Sequence, residues 1–564
     1  MSKRNSNIFY RSFSHVFLFG IFFFSQASYS NSESAEVIHG ERLFLENRFS
    51  ESFYQFVQRG GNYNTIIDKG DPQLNKTFRF FGLPPYQIPF ATSPFKGSTF
   101  SCRTCHMVDE HISQKELGMR AYSDFASRSP LSLRSDMQTV TVRNSPILVS
   151  TNIDQDDILF HYDGEFSTLV DLILATLTGR NLGWLPGEYE VAKNHICNVI
   201  KNDNGKDQLA SEFGALSYRE ILSGKNTQNE ILPDEYLIDE KYRVDINHST
   251  CEEILVKIAY LLEEYVFDLQ FTKDATAISP YDAFLKLNNL PEHPNPSESA
   301  NEYSHRLLSS IINLEKNNEL EFIEKDEFND SKTFRFHNQL YKFGEEELDG
   351  MKIFFNQSSD SKISKGNCIA CHPSPHFTDF KFHNIGVTQV EYEEIHGPNS
   401  FNRLPVPNYE ARTINANKYL PATYSHPVRL GIFRKKANQN QPLYTDLGAW
   451  NIFFNDDFPK PQSKLYRMFC DDKDSCETKD IALERSLASF KTPTLRDLGH
   501  SAPYMHNGQI SDLHAVVGFY MNASIRSRSG QVRNSDKELQ DINITVADIN
   551  PLVLFLISLY EDYH

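Results

Sequence analysis

Two short segments hold residue types that do chemistry at one spacing. Ser101–His106 reads SCRTCH, and Asn367–His372 reads NCIACH. In each, two cysteines separated by two residues are followed at once by a histidine. Thiols at that spacing reach the two vinyl groups on one edge of a porphyrin and form thioethers. The adjoining imidazole is then set beneath the iron as its proximal ligand. The predicted cofactors are two covalently attached c-type haems. One is held by Cys102, Cys105 and His106, the other by Cys368, Cys371 and His372. A zinc site is the competing use of such residues, but it would usually gather its ligand pairs in one small module. Here the pairs lie far apart and each brings its own histidine. A thioredoxin-like dithiol would leave both histidines without a role.

The rest of the chain must position these groups. It has 564 residues, too many for one compact core, and 40% of them are hydrophobic, enough to build several. A formal charge of −18 argues against nucleic acid as a partner. Residues 1–30 begin with Lys3, Arg4 and Arg11, continue with the apolar run Val16–Phe24 and end in small residues, the layout of a secretory signal peptide. The expected location is the periplasm or the exterior, with no membrane span after cleavage. An uncleaved anchor is the alternative. In an oxidising compartment the four remaining cysteines suit disulfides. Cys470 and Cys476 make the natural short-loop pair, which leaves Cys197 with Cys251. Free buried thiols are the other reading.

The segment Ser489–Gly508, SFKTPTLRDLGHSAPYMHNG, resembles the bacterial di-haem cytochrome c peroxidase family, which includes the MauG-type enzymes. Val142–Pro146 (VRNSP), Phe160–Gly164 (FHYDG) with Thr168 and Leu169, and Phe382–Val387 (FHNIGV) are similar to further motifs of that family. The resemblance implies a mainly α fold with two cytochrome c-like haem domains facing each other. It implies that hydrogen peroxide reacts at the N-terminal haem and that the C-terminal haem delivers electrons from a small cytochrome or cupredoxin. It also implies a calcium ion between the domains at Asn144, Ser501 and Pro503. Oxygen ligands suit such a hard cation, although turn geometry alone accounts for Asn144 and Pro503. Arg496 and Lys491 flank the expected edge of the second haem, where either suits a propionate. His383 and His506 match residues near that haem, with structural hydrogen bonding as the alternative.

The departures from the family bear on function. Where its cytochrome c peroxidases place a methionine on the C-terminal iron, this chain has Tyr520, as MauG-type members do. A phenolate stabilises oxidised iron, whereas a thioether favours the reduced state. Met521 is adjacent, but neighbours on a helix point about 100° apart, so both cannot face one iron. Ordinary core packing is the other reading of Tyr520. The family's distal Gln and Glu align with Leu172 and Leu182. Glu188 and Glu190 follow soon after as candidates for acid–base catalysis, or as a solvated surface pair. No histidine stands near Ser135–Met137 to close the sixth site of the first haem, and no tryptophan stands shortly before Cys368, where MauG-type enzymes carry one and this chain has Lys365, Gly366 and Asn367.

The expected organisation is a signal peptide (1–30), an N-terminal haem domain (31–200), a helical insertion (201–340) and a C-terminal haem domain (341–564). Within the insertion, Cys251–Phe271 and Glu302–Leu320 carry helical apolar spacing, and the proline-rich Leu290–Ser299 reads as a loop. The leading expectation is a di-haem peroxidase. A MauG-type oxidase that modifies a partner protein and a non-enzymatic electron carrier are the alternatives.

Overall fold

The computed structural model describes residues 33–65, 101–102, 106, 142–148, 158–270, 279–324, 341–359, 362–470, 476–496, 498 and 503–560. The predicted signal segment, Cys105, Ser135–Met137 and Ser501 lie outside them.

Helices dominate. The N-terminal part contains α1 (Ala35–Leu45), α2 (Leu169–Leu177), α3 (Tyr189–Asn202) and α4 (Cys251–Asp268). Helix α4 shows how the sequence writes its own boundaries. Thr250 accepts the backbone N–H of Glu253, and the Glu253 carboxylate accepts the N–H of Thr250 in return. Ile254, Leu255, Ile258, Leu261 and Leu262 then recur on one buried face. That face lies against α1 at Gly40, where an added Cβ would stand 2.2 Å from the Leu261 carbonyl oxygen. The two helices touch backbone to backbone, which only glycine permits.

The C-terminal part repeats this device. It contains α5 (Pro280–Leu287), α6 (Ala300–Asn317), α7 (Glu345–Phe355), α8 (Leu513–Arg528) and α9 (Val546–Ile557). Helices α7 and α9 pack together, and at Gly350 a Cβ would fall 1.9 Å from the Pro551 carbonyl oxygen. In sequence the two glycine helices share Gly-x-x-x-Phe: Gly40 with Phe44, and Gly350 with Phe354. Each lies upstream of a C-x-x-C-H segment, Gly350 close before Cys368 and Gly40 well before Cys102.

Three apolar clusters form. The first joins α1 to α4 and has Cys102 packed against it. The second joins α5 to α9 and has Cys368 and Tyr520 against it. A third gathers around Trp450 and Phe453, formed by residues from Phe382 to Ala488 together with Leu159. Stretch 201–340 is shared out: α4 belongs to the first core and α6 to the second. Leu290–Ser299 is irregular, as its prolines indicate. Disulfides join Cys197 to Cys251 and Cys470 to Cys476, the expected pairs. Among the described residues no helix is long and apolar enough to cross a membrane. The paired strands are β1 (Phe382–His383) and β2 (Phe490–Lys491), antiparallel, with Phe382 opposite Lys491 and His383 opposite Phe490. This short ladder carries residues of both matched motifs, FHNIGV and SFKTP.

Candidate functional site: two cysteine–histidine turns and a cavity

In both C-x-x-C-H motifs the histidine bonds back to the first cysteine. The His106 N–H donates to the Cys102 carbonyl at 3.0 Å, and the His372 N–H to the Cys368 carbonyl at 2.8 Å. One such turn brings the first cysteine and the histidine to the same side of the backbone. Asn367 enters the second turn in the left-handed region, with φ 54°, a conformation asparagine tolerates better than most residues. Among the described residues, Cys102, Cys368 and Cys371 are in no disulfide.

Both imidazoles have the setting of proximal ligands. His372 Nδ1–H donates to the Phe377 carbonyl at 2.8 Å, which fixes the tautomer and leaves Nε2 bare for a metal. At His106 the Pro146 carbonyl faces the ring and raises its pKa, though Nδ1 falls short of a full hydrogen bond. Burial is the larger effect at both and lowers each pKa to about 4, so both rings are neutral and able to ligate. These observations fit c-type haem at each turn, with Cys105 supplying the remaining thiol of the first.

Cys102 and His106 line a cavity of about 1620 Å³. This exceeds the roughly 300–1,000 Å³ of ordinary small-molecule pockets. Leu172 and Leu182 are in its wall, as are Glu188, Glu190, Asn144 and Arg496. Several of these polar groups have structural partners. Glu188 accepts the Leu185 N–H at 2.8 Å. Glu190 is 61% exposed and paired with Lys193 at 2.9 Å. Arg496 makes a two-pronged pair with Asp282 of α5, at 2.5 and 3.1 Å, and donates to the Pro375 carbonyl. Truncating one partner of such a buried pair strands the other charge. Asp282→Ala is therefore expected to lower unfolding free energy by about 3–5 kcal/mol. Urea denaturation of the holoprotein checks this, and a loss below about 1 kcal/mol would show the pair to be dispensable.

The second group of expected ligands also assembles. Tyr520 on α8 lies beside Cys368 and Cys371. Burial, with the two thiols adding to it, pushes its phenol well above the ordinary value. Among the described residues no group is hydrogen-bonded to its hydroxyl. Met521 is also partly buried against the second core. His383 is held between Asp536, at 2.6 Å, and Asp379, at 2.9 Å. Burial opposes its charge, but Cys371 and these carboxylates outweigh it and raise the pKa well above the usual histidine value. His506 stacks flat on Phe490, with ring centroids 3.5 Å apart, and burial drops its pKa to about 3.

Asn144 ties the two halves of the chain together. Its backbone N–H donates to the His506 carbonyl at 2.7 Å, and its side-chain amide donates to the carbonyls of Pro503 and Met505 at 2.5 and 3.3 Å. The expected calcium ligands Asn144 and Pro503 thus meet, but through the amide nitrogen. Among the described residues they form a hydrogen-bonded clasp rather than a converging set of oxygens, of which calcium takes six to eight.

A buried ionic network escapes sequence reading. Arg143 pairs with Asp163 at 2.5 Å and Asp446 at 2.6 Å, while Arg434 pairs with Glu165 at 2.5 Å and Asp163 at 3.2 Å. His161, Asp163 and Glu165 bring ligand atoms within 4.8 Å of one another. The two arginines already neutralise these carboxylates, which disfavours a cation there. The one sequence clue is that Asp163 lies within FHYDG and Glu165 follows it directly.

No family model matches the chain. Among curated proteins, the chain is 28% identical over 218 residues to the cytochrome-c peroxidase IdrP2 of Denitromonas iodatirespirans, a match covering 38% of this chain and 39% of that protein. It is 35% identical over 71 residues to the methylamine utilization protein MauG of Methylophilus methylotrophus, covering 13% and 20% respectively. The matches span well under half the length of these curated relatives. Similar solved structures are a MauG-like protein associated with microbial copper homeostasis (15% identity, TM-score 0.42, covering 94% of this chain and 90% of that one) and the diheme peroxidase BthA from Burkholderia thailandensis E264 (14%, TM-score 0.39, 93% and 86%). Over these segments the chain is similar to the di-haem cytochrome c peroxidases and MauG proteins.

Proposed function

We propose that this chain is a periplasmic di-haem c-type peroxidase. It would reduce hydrogen peroxide at the His106 site with electrons that enter through the His372 site from a small redox protein. The observation that carries this reading is that in both motifs the histidine N–H bonds back to the first cysteine, each beside a separate core, and that His106 lines the large cavity. Haem bound there supplies a redox-active iron that can take electrons and cleave the O–O bond.

The overall balance is H2O2 + 2 e⁻ + 2 H⁺ → 2 H2O. The chain's residues must bind, orient and move protons. His106 and His372, neutral through burial, offer Nε2 to the metal. Leu172 and Leu182 keep the adjoining wall apolar. Glu188 borders the cavity half-buried and is the better placed of the two glutamates for proton transfer, since Glu190 is exposed and paired with Lys193. The β1–β2 ladder connects the wall of the first site to the neighbourhood of the second.

Tyr520 favours a second reading, a MauG-type oxidase whose oxidising equivalents are spent on a partner protein. Mixing ferric protein with hydrogen peroxide in a stopped-flow spectrometer tests both. A Soret change in the fully ferric state supports the Tyr520-based reading, and a change only after one-electron reduction supports the peroxidase. No change in either state would overturn both in favour of an electron carrier.

A further inference from the structure

Eight lysines and arginines line the His106 cavity, and apart from Arg180, which has its own contacts, the other seven divide unequally when their partners are counted. Arg143 and Arg434 are held by Asp163, Glu165 and Asp446. Arg429 pairs with Asp457, Arg496 with Asp282, and Lys193 with Glu190. Lys435 and Lys491 remain, and among the described residues no carboxylate pairs with either.

Their positions are fixed by the fold. Lys491 is in β2, where its backbone N–H donates to the Tyr162 carbonyl at 2.8 Å. Its ammonium lies 5.5 Å from the centroid of the Phe160 ring and 5.7 Å from that of Phe380. It therefore stands between a segment beside the first cysteine–histidine turn and one that follows the second. Its exposure is to the cavity rather than to bulk solvent. Lys435 is anchored by its backbone N–H to the Thr445 carbonyl at 3.1 Å, and Arg180 and Arg434 crowd it with like charge.

Leaving an ammonium in a low-dielectric wall without a counterion is costly. A fold that does so twice around one cavity is built for a ligand with two anionic groups. A porphyrin held by thioethers along one edge presents two carboxylates elsewhere on its rim, and a carboxylate meeting a buried ammonium forms a strong charge-assisted hydrogen bond.

We propose that Lys435 and Lys491 are the anion-binding residues of this cavity and that each receives one propionate carboxylate of the haem held by His106. The proposal rests on the di-haem reading above. It moves Lys491 from the second haem's edge to the first haem, and it leaves Arg496 to its structural pair with Asp282. Burial lowers the pKa of both lysines to about 8, with Arg180 and Arg434 adding to the effect at Lys435, and a bound carboxylate would restore the charged form.

The test uses the holoprotein with Lys435→Met, Lys491→Met and the corresponding Arg variants. Haem content is counted first. The midpoint potential of the His106 haem and the propionate bending band in its resonance Raman spectrum are then measured. Removing a cation beside the porphyrin favours ferric iron. Each Met variant is expected to shift the ferric/ferrous equilibrium about tenfold, ~59 mV downward for one electron, and to move the propionate band, while each Arg variant stays near wild type. The two positions are separate, so either suffices if the other variant fails to fold. Two haems per chain with an unmoved potential and an unmoved band would overturn the lysine assignment alone. Fewer than two haems in the wild type would overturn the di-haem reading, and the assignment with it.

Discussion

His106→Ala is expected to reduce peroxide turnover about a thousandfold or more while leaving the protein folded and the second haem in place. The magnitude follows from losing the ligand that fixes and electronically supports the reacting iron. A loss of about 4 kcal/mol of transition-state stabilisation is about a thousandfold in rate. The selectivity follows from the architecture. His106 serves the cavity beside the first core, whereas His372 sits in the second core with its own hydrogen bond to Phe377. Steady-state oxidation of a reduced small cytochrome by peroxide checks the rate, and the absorbance of the His372 haem checks the integrity of the remainder. Turnover within tenfold of wild type would show that peroxide reacts elsewhere.

Tyr520→Met should raise the midpoint potential of the His372 haem by on the order of 100 mV or more, since axial ligands tune haem potentials across ≈0.8 V. A phenolate stabilises ferric iron, and a thioether stabilises ferrous iron. The structure puts Tyr520 beside Cys368 and Cys371 on the face of α8 that meets the second core. Burial there disfavours a free phenolate, so ionisation depends on the iron to which it binds. Spectroelectrochemical titration reads the shift. Tyr520→Phe distinguishes ligation from packing. It keeps the ring and loses the oxygen, so a packing role predicts an unchanged potential. An unmoved midpoint in both variants would assign Tyr520 to the core.

How far this was legible in the sequence depended on how local each interaction is. The C-x-x-C-H turns, the Thr250–Glu253 capping box and the Cys470–Cys476 disulfide span a few residues each, and spacing alone defines them. Helix α4 was visible because its apolar residues keep a helical period. Its allegiance to the first core was hidden, because that depends on Gly40, far upstream, letting two backbones touch. The shared Gly-x-x-x-Phe of α1 and α7 was a readable sign of two like units, but one glycine and one phenylalanine are too common to stand out before the packing gives them meaning. Arg496 was read from the SFKTPTLRD segment as flanking the second haem's expected edge, whereas its partner Asp282 comes from a distant helix that no local pattern connects to it. The Arg143–Asp163–Arg434–Glu165 network is of the same kind, since ion pairs across hundreds of residues leave no periodic trace. Glu188 and Glu190 were found as a pair of acids near the expected pocket, and the fold separates them into a half-buried helix-start acceptor and an exposed surface ion pair.

The central claim is that both cysteine–histidine turns carry covalent haem, and the most direct measurement is the haem content of the purified protein. The pyridine haemochrome assay combined with intact-protein mass should give two c-type haems per chain. Cys102→Ser with Cys105→Ser should reduce this to one, as should Cys368→Ser with Cys371→Ser. A wild-type chain with one haem or none, or with zinc bound at either turn, would contradict the account.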